Sequence, residues 1–191
     1  MKTIGVFGGS FDPIHIGHLT TSFDVLKRRS LDKIIFVPCH ISPHKTDQIP
    51  TEDIHRLNMV NLAIEDSPLF ESCDYEIGKG DVSYTYDTLV ELRKKYNNIE
   101  LIIGFDNLVV FDKWHRPDDI FKLAKVVVLK REIDNIPGVH NKYFDSAILL
   151  DTPLINISST EIRNRVKNGL PIDYLVPQKV KEYISQHRLY I

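Results

Sequence analysis

The chain has 191 residues, of which 42% are hydrophobic and 26% charged, and its formal net charge is −2. These values describe one globular domain spanning 1–191 and give no global electrostatic attraction to nucleic acid. No apolar run reaches membrane-span length and the start Met1-Lys2-Thr3 does not read as a signal peptide; Cys39 and Cys73 have neither metal nor disulfide spacing, so the expected compartment is a reducing cytoplasm.

In chain order, Ile4–Phe7 reads as a strand and leads into Gly8-Gly9-Ser10-Phe11-Asp12-Pro13-Ile14-His15-Ile16-Gly17-His18, which opens a helix through His18–Arg29. A strand, a glycine-rich turn and a helix start aim backbone N–H groups at one point, which makes an anion site. His15 and His18, three residues apart, share one face if both are helical. Gly17 lets a ligand come close to the backbone, and two imidazoles here suit nucleotide phosphates. The P-loop and the dinucleotide fingerprint are both absent.

Lys33–Val37 is the second strand, and it is followed by the proline-broken loop Pro38-Cys39-His40-Ile41-Ser42-Pro43-His44-Lys45. His44 and Lys45 bring positive charge over the turn. The pattern continues with helix Asp53–Ile64, strand Phe70–Cys73, helix Tyr86–Tyr96, strand Glu100–Ile103, helix Asp118–Leu123 and strands Lys125–Leu129 and Ala147–Leu150. Continuous apolar runs such as Val126-Val127-Val128-Leu129 predict a parallel α/β sheet, doubly wound and Rossmann-like, with helices on both faces. Ser83 or Thr85 is the expected cap of the helix that follows Tyr84. Gly104 and Asp106 fall at a strand end, where a carboxylate suits ribose hydroxyls. Trp114, in a polar segment ending at Pro117, is poorly explained by core packing and offers a stacking face. A small helical C-terminal subregion, about 157–191, comprises Glu161–Lys167 and Gln178–His187. It opens on Ile157-Ser158-Ser159-Thr160, and with Arg163 this forms a second anion cradle.

The first of these strings resembles the Gly-Ser/Thr-Phe-Asp-Pro-x-His-x-Gly-His signature of the nucleotidylyltransferase superfamily. Ile157–Arg163 resembles the Ile-Ser-Ser/Thr-Thr-x-Ile-Arg motif of adenylyltransferases. Pro38–Lys45, Ser83-Tyr84-Thr85 and Trp114 resemble segments of bacterial-type nicotinate-nucleotide adenylyltransferases; the chain departs at Ser42, where that family often has proline. The resemblance implies adenylyl transfer from ATP to nicotinate mononucleotide, giving deamido-NAD and pyrophosphate, in NAD biosynthesis.

It further implies that ATP is held by Gly8, Gly9, Ser10, Phe11, His15, His18, Gly104, Asp106, Ile157, Ser158, Ser159 and Arg163. Nicotinate mononucleotide falls to His44, Lys45, Ser83, Tyr84, Thr85, Trp114 and His115. The catalytic groups are His15, His18, Lys45 and Arg163. Mg²⁺ is expected on the ATP phosphates, with no metal site built by the protein. A homodimer is a candidate assembly. Two alternatives stay open: a sibling transferase using nicotinamide mononucleotide, phosphopantetheine or glycerol phosphate as acceptor, and a nucleotide-binding sensor without turnover.

Overall fold

The computed structural model describes residues 2–41, 50–130, 141–153 and 155–191. Six strands, β1 (Thr3–Gly9), β2 (Lys33–Pro38), β3 (Phe70–Ser72), β4 (Asn98–Gly104), β5 (Lys125–Lys130) and β6 (Ile148–Asp151), form one parallel sheet. Their order is β3-β2-β1-β4-β5-β6. The order reverses between β1 and β4, so a crevice opens at their carboxyl ends, where such sheets bind ligands. Phe7 pairs with Ile102 across this seam and Gly9 pairs with Pro38 on the other side of β1.

Both sheet faces are covered, as the unbroken apolar strands require. Side chains alternate: Ile35, Val37, Leu101 and Ile103 face one cluster, while Ile34, Phe36 and Ile102 face the other. The first cluster takes Leu89 and Leu92 of α4 (Thr85–Arg93), Leu108 of α5 (Phe105–Val109) and Ile120 of α6 (Pro117–Leu123). The second takes Val25 and Leu26 of α1 (Ile16–Arg28) and Met59 and Val60 of α2 (Asp53–Ile64). Ile162 of α7 (Ser159–Lys167) and Val180 and Ile184 of α8 (Gln178–Gln186) complete it. The C-terminal helices therefore share the sheet's own core. The Ile16 N–H donates to Leu175 O at 2.9 Å, which ties the start of α1 to that region.

Boundaries differ from the sequence pattern where local bonds decide them. The first helix starts at Ile16 instead of His18, because His15 is its cap. α4 starts on Thr85 and stops at Arg93, and Tyr96 is buried just beyond it. Two short helices went unforeseen, α3 (Tyr75–Lys79) and α5, each too short to show a helical period. No helix among the described residues is long and apolar enough to cross a membrane.

Glu100 in β4 is only 3% exposed, and Arg29 Nε and Nη2 donate to its two oxygens at 2.8 Å each. Removing one partner of a buried pair strands the other charge. Arg29→Ala should therefore lower the unfolding free energy by about 3 kcal/mol, read from urea denaturation. Arg29→Ala with Glu100→Gln should recover part of the loss, and equal losses in the single and double variants would contradict the burial argument.

Candidate active site

The site is assembled at the carboxyl end of β1. Phe11 has a positive φ of 47° and folds its buried ring back over Gly9, where a Cβ would stand 3.0 Å from that ring. Distant residues fasten the turn by its carbonyls. Arg56 Nη1 donates to Ser10 O at 2.8 Å, Arg163 Nη1 to Asp12 O at 2.8 Å and Ser159 Oγ to Pro13 O at 2.9 Å. The Asp12 carboxylate accepts from the Thr51 N–H at 3.1 Å and from Tyr190 Oη at 2.7 Å. Burial and the Asp12 charge hold the Tyr190 phenol far above its ordinary value, so it remains a donor.

The two histidines cap one another. His15 has extended backbone (φ −143°, ψ 170°) and its Nδ1 accepts from the His18 N–H; His18 Nδ1 accepts from the His15 N–H, both at 3.3 Å. Their rings stack with centroids 3.6 Å apart and planes 23° from parallel. They are thus a reciprocal cap and not two side chains on a helix face. An Nδ1 that accepts puts the proton of a neutral ring on Nε2, so the cap fixes the tautomer of the pair. Burial lowers the His15 pKa to about 4, leaving it neutral at physiological pH. Gly17 lines the cleft over this turn, and a Cβ there would lie 3.0 Å from His15 Nδ1.

A cleft of about 820 Å³ opens over this turn. It gathers Gly9, Ser10, Phe11, His15, His18, Gly104, Asp106, Ile157, Ser158, Ser159 and Arg163, as the motifs suggested. Gly8 instead faces a second pocket, of about 190 Å³, lined also by Ser83, Tyr84, Thr85, Trp114 and His115. Phe7, Gly9, Ser10, Cys39 and Gly104 line both. His44 and Lys45, with Ser42 and Pro43, lie outside the described residues.

Several side chains are already committed. Ser158 Oγ accepts from the Glu161 N–H at 3.1 Å and caps α7, while Ser159 Oγ holds Pro13. Ser158 Oγ thus takes one first-turn N–H of α7, and Ser159 Oγ serves the glycine turn. Ser83 Oγ accepts from the His40 N–H at 2.9 Å; the cap position of α4 is Tyr84, without a side-chain bond. Asp106 is in the first turn of α5, capped by Gly104. Trp114 does pack: it stacks on Phe111 with centroids 4.8 Å apart, at the edge of the core, and still lines the smaller pocket. The His115 ring lies 4.5 Å from that of Tyr84.

Sequence reasoning gave no role to Arg56, Tyr190 or Glu76, and none to Asp12 beyond its place in the signature string. Arg56 carried a readable signal, because it sits in the apolar row of α2 with Met59 and Val60. The other three act through partners far away in sequence or through burial, which no local pattern reveals.

The cytidylyltransferase-like family model matches residues 6–165. A probable nicotinate-nucleotide adenylyltransferase of Clostridium tetani is 43% identical over the full length of both chains. The nicotinate-nucleotide adenylyltransferase of Bacillus subtilis is 40% identical, covering 100% of this chain and 99% of that protein. The chain belongs to the nicotinate-nucleotide adenylyltransferase family. The fold of this adenylyltransferase is also that of Plasmodium falciparum nicotinic acid mononucleotide adenylyltransferase complexed with NaAD. That match has a TM-score of 0.81 at 24% identity and covers 100% of this chain and 98% of the other.

The His15 pKa sets a pH dependence. Its folded value, about 4, lies below the ordinary 6.5, so between the two the unfolded chain binds more protons. Stability should fall as pH drops from 6.5 toward 4. His15→Asn, which keeps an acceptor for the His18 N–H but cannot titrate, should lose less stability on acidification. Parallel urea midpoints for the two proteins across this range would contradict the assignment.

Proposed function

We propose that the chain transfers the adenylyl group of ATP to nicotinate mononucleotide, giving deamido-NAD and pyrophosphate in NAD biosynthesis. Full-length identity to named nicotinate-nucleotide adenylyltransferases supports this. The carrying observation is two pockets that share the glycine turn at the sheet's switch point, one sized for a nucleoside triphosphate and one with an aromatic wall.

The reaction needs little acid–base chemistry. The acceptor's 5′-phosphate has a second pKa near ~6 and is largely ionised at neutral pH. Its oxygen forms the new bond to the α-phosphorus of ATP; the bond to the bridging oxygen breaks, and pyrophosphate leaves with the electron pair. The protein must align two anions and stabilise the departing charge. Nε2–H of His15 and His18 supply fixed donors for the phosphates, with His18 nearest the transferred one. A neutral pair suits this role, since two cations stacked at 3.6 Å would repel.

Arg163 and the α7 N-terminus, entered through Ser158 and Ser159, take the β and γ phosphates. Gly104 and Asp106 take the ribose, and Gly8, Gly9, Ser10, Phe11 and Ile157 complete the donor cleft. Lys45 and His44 neutralise the acceptor phosphate. Trp114 stacks on the pyridine ring, while Ser83, Tyr84, Thr85 and His115 surround its carboxylate. Mg²⁺ would neutralise phosphate charge on ATP. The Asp12 carboxylate already accepts from Thr51 and Tyr190, which supports an ion held by phosphate and water. Neither Cys39 nor Cys73 is in a disulfide, which supports a reducing cytoplasm.

His18→Ala should lower kcat on the order of 10²–10³-fold, the typical cost of one transition-state donor, with an unchanged circular dichroism spectrum. Activity within threefold of wild type would remove His18 from the mechanism.

The acceptor assignment is tested separately. N–H groups aimed at a carboxylate make charge-assisted bonds, and an amide NH₂ would leave them unpaired. The ratio of specificity constants for nicotinate over nicotinamide mononucleotide should be on the order of a hundredfold. A ratio near one would reject the nicotinate assignment and leave adenylyl transfer standing.

A further inference from the structure

The smaller pocket contains a carboxyl group to which the proposed reaction gives no task. Glu76, on the short helix α3, is 8% exposed and lines that pocket beside Ser83, Thr85, Trp114 and His115. Thr88 Oγ1 lies 2.5 Å from Glu76 Oε1, and the Ser83 side chain is a second partner. The groups that face it are Cys73 before α3, Lys79 on α3, Asp87 on α4, and Tyr84 and His115 in the pocket wall. Lys79, the nearby cation, is engaged with Asp87 at 2.7 Å.

We propose that Glu76 is a specificity-determining residue of the acceptor pocket: its carboxyl admits an anionic ring substituent while protonated and opposes it when ionised. The inference rests on assigning this pocket to the pyridine ring. In the protonated state the Glu76 O–H donates to Thr88 Oγ1. The Thr88 hydroxyl hydrogen is then free to point at Tyr84 O, 3.5 Å away. The wall is satisfied with no net charge. When Glu76 ionises, Thr88 must donate to it, and a negative charge stands in the pocket wall. A pyridine carboxylate entering there meets a like charge, whereas a carboxamide does not. Desolvation pushes the Glu76 carboxyl above the usual carboxylate range.

The test is the ratio of specificity constants for nicotinate and nicotinamide mononucleotides with ATP, from about pH 5, just above the ordinary carboxylate value, to about pH 9. The 5′-phosphates of the two acceptors titrate alike, so they cancel in the ratio. In the wild type the ratio should fall on the order of tenfold as pH rises. In Glu76→Gln, which keeps an acceptor for Thr88 and cannot ionise, it should stay at the wild-type value of low pH. A flat ratio in the wild type overturns the proposal, and so does a falling ratio that Glu76→Gln leaves unchanged. Calorimetric binding of both mononucleotides to the wild type at the two pH limits reads the same ratio without any variant, and a constant ratio there overturns it as well. Turnover of neither mononucleotide at any pH rejects adenylyl transfer itself; turnover with a flat ratio rejects only the role of Glu76.

Discussion

One buried cation organises the working end of this molecule. The Arg56 guanidinium has no exposed surface, and burying an unpaired charge costs several kcal/mol. Its N–H groups therefore find acceptors: Thr51 O at 2.8 Å, Ser10 O at 2.8 Å, His40 O at 3.4 Å and the Asp53 carboxylate. A planar fork leaves those oxygens little freedom. Asp53 also pairs with the His40 ring, so counter-charge and cation brace the same short segment. From there the order spreads through backbone bonds: Cys39 N–H to Gly9 O at 3.0 Å, Ser83 N–H to Ile41 O at 3.1 Å, and His40 N–H to Ser83 Oγ. The donor turn and the acceptor wall are thus held to one group.

The rest of the site follows a similar economy. Ser158, Ser159 and the two histidines, which look like ligands in the sequence, also hold the turn and the starts of α1 and α7. Such groups are fixed before substrate arrives, so they need no rearrangement as charge develops. The stacked histidines illustrate this, since each Nδ1 accepts from the other's backbone N–H and so orients the other ring.

The sheet, its helical layers and the clustering of the motifs were legible because they depend on local period and spacing. Strands such as Val126–Leu129 are apolar on both faces, and the glycine turn sits directly after one. What stayed hidden depends on distance. Nothing near Asp12 announces Tyr190, and nothing near Glu76 announces that Thr88 and Ser83 will close over it. Trp114 was misjudged because a polar neighbourhood in sequence conceals a stacking partner three residues back. The start of α1 fell two residues before the sequence pattern because spacing cannot announce a cap whose accepting atom is an imidazole nitrogen.

Tyr190 carries a consequence for the turn after β1. The hydroxyl that bonds the Asp12 carboxylate belongs to a residue 178 positions further along the chain. The same carboxylate accepts from the Thr51 N–H, and Arg163 holds the Asp12 carbonyl. Three segments remote from one another in sequence thus meet on one residue, so a disturbance of the last helix or of the segment before α2 would be felt at the glycine turn without touching it.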